Sequence, residues 1–358
     1  MVKVFEIGSE YDWESTKLYV QNLENKNFES FKNYNLKFLR SGRDALRYIA
    51  RAYKNEKKSI LMPALCCSCM PEPFQNEGYE IIYYKLTDDF RVNIDDVLSK
   101  IKDDSIFLFM NYFAISSLSE ENLKKITQFR KNVLTIEDMT HDFLKLDLKK
   151  YYADITICSI RKWFSIADGG LLFSKFEIPN IKIGEDNFFA SLREEAMKLK
   201  SEYLKTGDFK QKESFRNKLA EANNYLDNIK NLIKMNDKSK NILKNIDLSK
   251  IYKTRLENSK ILFEKLQEIK NIKFLNKEFV ESTLYFPIII PDQEIVQKEL
   301  AKKNVYAPII WPLPKDAKGI CRVADMTAEH MLAIPCDHRY LKKDMLKIVE
   351  IISEILNK

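Results

Sequence analysis

The stretch ITICSIRKWFSIADGGLLF, residues 155–173, decides the fold. It opens with an apolar run, Ile155–Cys158, of the length and β-branched character of a buried strand. Ser159 follows, then Lys162 three residues later, then Asp168-Gly169-Gly170 and a second apolar run, 171–173. Two earlier runs have the same form. Ser105–Met110 ends in Asn111-Tyr112, and 133–136 ends in Glu137-Asp138. Between these two lies 119–130, a polar segment that opens Ser-x-x-Asn and reads as a helix. Uninterrupted apolar strands separated by helices are the pattern of a parallel sheet covered on both faces, so the expected class is α/β with a mostly parallel, doubly wound sheet.

Working outward, Ser41-Gly42 precedes 43–53, where Ala45, Leu46, Ile49, Ala50 and Tyr53 recur at helical spacing, with Ser41 as the N-cap. Short strands are expected at 60–62 and Glu80–Tyr84, and a helix at 93–101. Residues 1–35 read as a leading segment that packs on a larger body. Residues 186–270 are charged and helix-rich, with Leu226, Ile229, Leu232 and Ile233 at helical spacing. The remainder alternates: a strand near 284–290, a helix over 293–303, a strand near 305–310 and a closing helix over Lys342–Leu356. We therefore expect a large domain over 1–245, which includes the N-terminal arm and the helical segment 186–245, and a small C-terminal α+β domain over 246–358.

Composition narrows the function classes. The chain has 358 residues, 45% hydrophobic and 31% charged, enough to build a core of two domains. Its eight glycines are few, so each marks a place where the backbone needs one. The net charge of +7 comes from 59 Lys and Arg against 52 Asp and Glu, spread without a block of one sign. That argues for a solvated basic surface and against a nucleic-acid partner. No apolar run approaches the ~20 residues of a membrane span, so no membrane partner is expected. Met1 to Glu6 has no apolar core of a secretory signal, and the six cysteines (66, 67, 69, 158, 321 and 336) follow no regular framework. The expected compartment is the cytoplasm, with reduced thiols.

In open α/β sheets ligands bind beyond the carboxyl ends of the strands. Three consecutive ends present Asn111-Tyr112, Asp138, and Ser159 with Lys162, and Ser41-Gly42-Arg43 opens a helix whose N-terminus suits an anion. An amine, a carboxylate and a phosphate cup on one rim are the parts pyridoxal 5′-phosphate requires. The amine forms the covalent link and the carboxylate faces the pyridine nitrogen. The metal reading of Cys66-x-x-Cys69 lacks a second pair, so no metal is expected; burial as small apolar side chains is the competing reading. Trp311 and the loop 335–340, with His338 and Arg339, stand open between substrate contact and plain packing.

These motifs resemble the DegT/DnrJ/EryC1/StrS group of sugar aminotransferases, within fold type I of the pyridoxal-phosphate enzymes. Ser41-Gly42-Arg43 stands where the family has Ser-Gly-Thr. Ile136-Glu137-Asp138 matches its Ile-Glu-Asp, Ser159-Ile160-Arg161-Lys162 its Ser-x-x-Lys, and Asp168-Gly169-Gly170 its Glu-Gly-Gly. Arg255-Leu256-Glu257-Asn258 is similar to the Arg-x-Asn element that enters the small domain. The resemblance implies that Lys162 holds the cofactor as a Schiff base and shuttles the proton, and that Asp138 pairs with the ring nitrogen. It places His141 near the ring oxygen, and Ser41, Ser159 and the backbone of Gly42 and Arg43 at the phosphate. It also implies a homodimer, Glu or Gln as amino donor, and a nucleotide-linked keto sugar as acceptor, with Trp311, His338 and Arg339 as substrate contacts. Alternatives on the same scaffold are a lyase or decarboxylase reaction, or ligand binding without turnover. Two departures mark an outlying member. Where the family stacks an aromatic on the ring after Pro63, this chain has Leu65-Cys66-Cys67-Ser68-Cys69, with Cys67 nearest the place. The family's Tyr/Asn-rich segment after the lysine, which lends a phosphate contact to the partner subunit, is not recognisable.

Overall fold

The computed structural model describes residues 4–17, 19–20, 33–148, 152–276, 278–281 and 284–357. In chain order the elements are β1 (Ile7–Gly8), α1 (Glu14–Lys17), β2 (Asn35–Leu39), α2 (Gly42–Tyr53), β3 (Ser59–Pro63), α3 (Glu72–Gln75), β4 (Glu80–Tyr84), α4 (Ile94–Lys100), β5 (Ser105–Met110), α5 (Glu120–Phe129), β6 (Leu134–Asp138), β7 (Ile155–Cys158) and β8 (Gly170–Ser174). Then come α6 (Phe188–Thr206), α7 (Phe209–Asn228), α8 (Asp237–Asn245), α9 (Leu248–Leu266), β9 (Lys273–Phe274), β10 (Phe286–Ile289), α10 (Gln293–Lys302), β11 (Val305–Tyr306), α11 (Arg322–His330), β12 (Met331–Ile334) and α12 (Lys342–Leu356).

The main sheet runs β2-β8-β7-β6-β5-β3-β4. Strands β7, β6, β5, β3 and β4 are parallel, and β8 runs against both β7 and β2. Strands β3, β5, β6, β7 and β8 are buried along their whole length, the signature of a sheet covered on both faces. Their register aligns Met110, Asp138 and Ile157 as neighbours, so three strands end on one edge. The expected α/β class with a mostly parallel sheet is what the structure has.

A second sheet, β12-β10-β9, is antiparallel and packs against α9, α10 and α12 through a core that includes Leu262, Ile288, Leu300, Leu332, Ile348 and Ile352. The N-terminal segment reaches this unit rather than resting on the large sheet alone: β1 pairs in parallel with β11, and Gly8 N–H donates to the Tyr340 hydroxyl at 2.8 Å. Helix α9 ties the two bodies together. The buried Arg255 donates to Leu284 O and to the Tyr11 hydroxyl, and the buried Asn258 donates to the carbonyls of Asp337 and Tyr340.

Several elements differ from the sequence reading. Residues 35–39 form strand β2, although they follow a polar stretch with little alternation; pairing with β8 supplies the order that local propensity lacks. The strand expected near 305–310 stops at Tyr306, because only Val305 and Tyr306 find a partner, in β1. Helix α11 and strand β12 were not anticipated. Much of the early segment, 18 and 21–32, lies outside the described residues.

The helix α2 N-terminus is held by a buried charge cluster. The Arg40 guanidinium donates to Asp44 through Nε and Nη2 at 2.9 and 3.0 Å, Arg47 donates to Asp44 at 2.8 Å, and all three residues are at most 1% exposed. Ser41 caps the helix by accepting from Asp44 N–H. Removing the carboxylate leaves the buried Arg40 without its counter-charge and Arg47 with only Glu72, at 3.6 Å. Asp44→Ala is expected to lose about 3–5 kcal/mol of stability, measured by urea unfolding; a loss under about 1 kcal/mol would show that the cluster carries no such role.

Candidate active site

A cleft with a cavity volume of about 70 Å³ lies at the carboxyl edge of β5, β6 and β7. Its walls include Ser41, Gly42, Arg43, Cys67, Cys69, Asp138, Thr140, Ser159, Arg161, Lys162, Leu226 and Trp311. Lys162, Asp138 and the Ser41–Arg43 turn, read from separate motifs, thus meet in one cavity.

Asp138 ends β6 and is buried. Its Oδ1 accepts from Thr140 N–H at 2.8 Å. Burial pushes its carboxyl up, while the Thr140 N–H and hydroxyl and the Lys162 ammonium hold it down. Thr140 also joins the two strand ends, because Ser159 N–H donates to its hydroxyl at 3.0 Å and Trp163 Nε1 donates to its carbonyl at 2.7 Å. Lys162 closes the 3₁₀ turn that follows Ser159.

The Ser41–Arg43 turn approaches this edge with almost no clearance. A Cβ on Gly42 would stand 2.9 Å from Ser159 Cβ, and a Cβ on Gly170 would stand 2.2 Å from Ser41 O. Only glycine fits at either place. In α2, Asp44 N–H goes to Ser41 Oγ and Ala45 N–H to Ser41 O, which leaves the Gly42 and Arg43 N–H groups at the open end of the helix.

Some residues expected at the site have other employment. The Ser41 hydroxyl is spent on Asp44 and serves as a cap rather than a ligand. The Arg43 side chain turns to Asp227 at 2.7 Å and to Leu226 O, which draws the end of α7 over the cleft. Asn111 donates to Glu137 and accepts from Ser117 N–H, and Tyr112 donates to Leu65 O, so both brace the strand ends from within. His141 does not line the cleft. It is buried with neither ring nitrogen hydrogen-bonded within the chain, burial holds it neutral, and it stacks on Trp311 at 5.2 Å.

The assignment of Arg339 and His338 to substrate is not supported by their placement. Arg339 binds Asp337 through Nε and Nη2, donates to the carbonyls of Ser9 and Glu10, and lines a separate cleft beside α6 and the start of α12. His338 is buried between Tyr11, Tyr19 and Phe164. Both belong to the joint between the N-terminal segment and the small domain. Trp311, by contrast, is on the cavity wall.

The cysteines pair differently from the Cys66-x-x-Cys69 spacing. Cys66 is fully buried, and it is Cys67 and Cys69 that face the cleft. Cys69 N–H approaches Cys67 Sγ at 3.4 Å. The Cys69 thiol donates to Cys67 and, with the Lys162 ammonium nearby, holds the Cys67 thiol below its ordinary range, while Cys69 is pushed above it. Among the described residues no group of three or more His, Cys, Asp or Glu side chains is arranged to hold a metal. Thr140, Cys69 and Leu226 were missed in the sequence. Thr140 had a signal in its position two residues after Asp138, whereas Leu226 had none, since it arrives from a helix 64 residues beyond Lys162.

No protein-family model and no curated protein sequence matches the chain. Solved structures do. A DegT DnrJ EryC1 StrS aminotransferase from Brucella abortus superposes with a TM-score of 0.66 at 14% identity, over 95% of this chain and 92% of that one. The Bacillus subtilis protein NtdA, with bound cofactor PMP, gives 0.66 at 16% identity over 95% and 78%. The sugar aminotransferase CalS13 from Micromonospora echinospora gives 0.63 at 11% identity over 99% and 100%. The chain has the fold of these aminotransferases along nearly its full length.

The thiol arrangement predicts selective chemistry. Iodoacetamide is expected to label Cys67 first and to keep labelling it at pH values where an ordinary thiol is protonated, followed by peptide mass mapping. In Cys69→Ala the donor is gone, and the labelling rate should then fall off at higher pH than in the native chain. Equal pH profiles for the two proteins would refute the donor role of Cys69.

Proposed function

We propose that the chain is a pyridoxal-phosphate-dependent aminotransferase that moves an amino group from Glu or Gln to a keto group, the acceptor being a sugar carried on a nucleotide. The observation that carries this reading is Lys162 and the buried Asp138 in one cleft whose third wall is a helix N-terminus. The cradle fits the cofactor. The glycine contacts at Gly42 and Gly170 keep the turn free of side chains where a phosphate would approach, and Gly42 and Arg43 offer N–H donors. Ser159 adds a hydroxyl on the same wall. When bound, the cofactor supplies an electron sink for the carbanion formed at the substrate's α-carbon.

The residues of this chain have distinct tasks. Lys162 Nζ would hold the cofactor covalently, and its free amine would serve as the base that carries a proton at this end of the cleft. Asp138 stands where a protonated ring nitrogen would face it. An opposite charge there favours the carboxylate and counters the upward push of burial. Thr140 keeps that carboxylate oriented through Oδ1 and couples it to the backbone of Ser159. Trp311, backed by the stacked His141, offers a flat apolar wall. The names of the structural neighbours support a sugar as acceptor.

The test is direct. The purified protein with added pyridoxal 5′-phosphate is reduced with borohydride and digested. The cofactor is expected on the peptide containing Lys162, and a label confined to another lysine would overturn the assignment. Asp138→Asn is expected to keep cofactor binding and lose most turnover, since a neutral amide holds no proton on the ring nitrogen; full activity would remove Asp138 from the mechanism. Incubation with Glu and a panel of keto substrates, read by mass spectrometry, separates transamination from decarboxylation or elimination: release of 2-oxoglutarate with an aminated sugar is the expected pair.

The homodimer is part of the same proposal, on the ground that two-fold dimers are the commonest soluble oligomers. Light scattering at micromolar concentration should give twice the chain mass of 42.2 kDa; an active monomer would overturn it.

A further inference from the structure

Two arginines, Arg43 and Arg161, line the cleft where α2 begins, and a third, Arg193 of α6, lies close enough to Arg161 to be felt by it. Two of the three are matched. Arg43 meets Asp227 at 2.7 Å, and Arg193 meets Glu10 at 2.9 Å. Arg161 is not. Its Nε is buried without a hydrogen-bond partner, and among the described residues no carboxylate stands within ion-pair distance of it. Its nearest partner is the ring of Phe189, 5.9 Å from the guanidinium carbon. Glu10 is close enough to be felt, yet its carboxylate is already committed to Arg193. Lys162 adds a further positive group to the same cleft.

A partly buried guanidinium whose Nε is closed off from water and has no partner is costly to keep, unless an anion arrives to meet it. What else lines the cleft selects that anion. At the start of α2 the N–H groups of Gly42 and Arg43 and the Ser159 hydroxyl are donors, while the carboxylate in the cleft, Asp138, stands at the end of β6. Donors converging from a helix end, a hydroxyl and a planar guanidinium suit a tetrahedral dianion with several oxygens. We infer that Arg161 is the charge partner of a phosphate monoester held at the start of α2, supplied from within the same chain.

The inference deepens the reading of the cleft as a pyridoxal-phosphate site and rests on it only for the identity of the phosphate's carrier. It also gives the Arg161-Lys162 pair a division of labour. Lys162 takes the aldehyde end and Arg161 the phosphate end. Burial and the neighbouring Arg193 push the Arg161 guanidinium down to about 10, so it stays cationic at neutral pH, and a bound dianion would move it back up.

The experiment uses the full chain freed of cofactor, as wild type, Arg161→Gln and Arg161→Lys. Inorganic phosphate is titrated by calorimetry, and pyridoxal 5′-phosphate and pyridoxal are titrated by absorbance. Phosphate and pyridoxal 5′-phosphate are expected to bind Arg161→Gln roughly 10- to 150-fold more weakly than wild type, the loss of one charged contact. Pyridoxal, which lacks the phosphate, should bind all three alike. Arg161→Lys, which keeps the charge and loses the fork, should fall between. Equal phosphate affinity in wild type and Arg161→Gln, equal weakening for pyridoxal and its phosphate, or no phosphate binding by wild type would each overturn the inference. If wild type binds phosphate through Arg161 but takes up no pyridoxal 5′-phosphate, the anion site stands and the functional reading falls. Thermal melts check folding; should Arg161→Gln not fold, Arg161→Lys carries the comparison.

Discussion

The site depends on one close approach. The turn at Ser41-Gly42 lies so near Ser159 and Gly170 that neither glycine could carry a Cβ without striking its neighbour. This contact brings a helix N-terminus to the carboxyl edge of the sheet, and everything else in the cleft is arranged around it. It is held from behind by Asp44, which joins Ser41, Arg40 and Arg47 in a fully buried cluster. The chain spends three charged residues to fix one helix end, and that expenditure makes sense only if the position of that end matters. Gly169 N–H also donates to Arg40 O at 2.8 Å, so the loop before β8 is pinned to the residue that organises the cluster.

The charges in the cleft are sorted by depth. Asp138 lies at the end of β6, fixed by Thr140, while the guanidinium of Arg161 stands toward α6. A ligand with a cationic ring atom at one end and a phosphate at the other would satisfy both. Lys162 follows Arg161 directly in sequence and is in Coulombic reach of Asp138. The electrostatic pattern of the cleft is thus close to the complement of the ligand we propose, and the cost of an unpaired charge is free energy that binding recovers.

The sheet was legible because its strands are apolar along their whole length, and a strand buried on both faces needs no alternation to be recognised. The core of the site was legible for a related reason. Asp138, Ser159 and Lys162 follow directly on such strands, so their convergence needs only parallel pairing. What failed was what tertiary contact decides. Residues 35–39 become a strand by pairing with β8, and 305–310 stops early because only two of its residues meet β1. Arg339 and His338 looked available as donors, since a loop rich in Asp, His and Arg reads the same whether it faces a ligand or a domain joint. The joint won because Asp337 and the carbonyls of Ser9 and Glu10 engage all three nitrogens of that guanidinium. Arg161 is the converse case. Its place beside Lys162 was visible, but only the absence of a carboxylate around it gives it a role.

The helical segment 186–245 acquires a function from the same contacts. The chain leaves β8, makes the antiparallel pair α6 and α7, and returns so that Leu226 reaches the cleft and its carbonyl accepts from Arg43. Asp227 takes the Arg43 side chain away from the helix N-terminus, which clears the Gly42 and Arg43 N–H groups for a ligand. Arg193 of α6 draws Glu10 to itself and thereby leaves Arg161 without a counter-charge. Asp227 and Glu10 are thus each bound to an arginine other than Arg161. The hairpin therefore does more than cover the sheet. By choosing which arginines are neutralised, it sets the sign of the cleft, and an anion is what the remaining charge will accept.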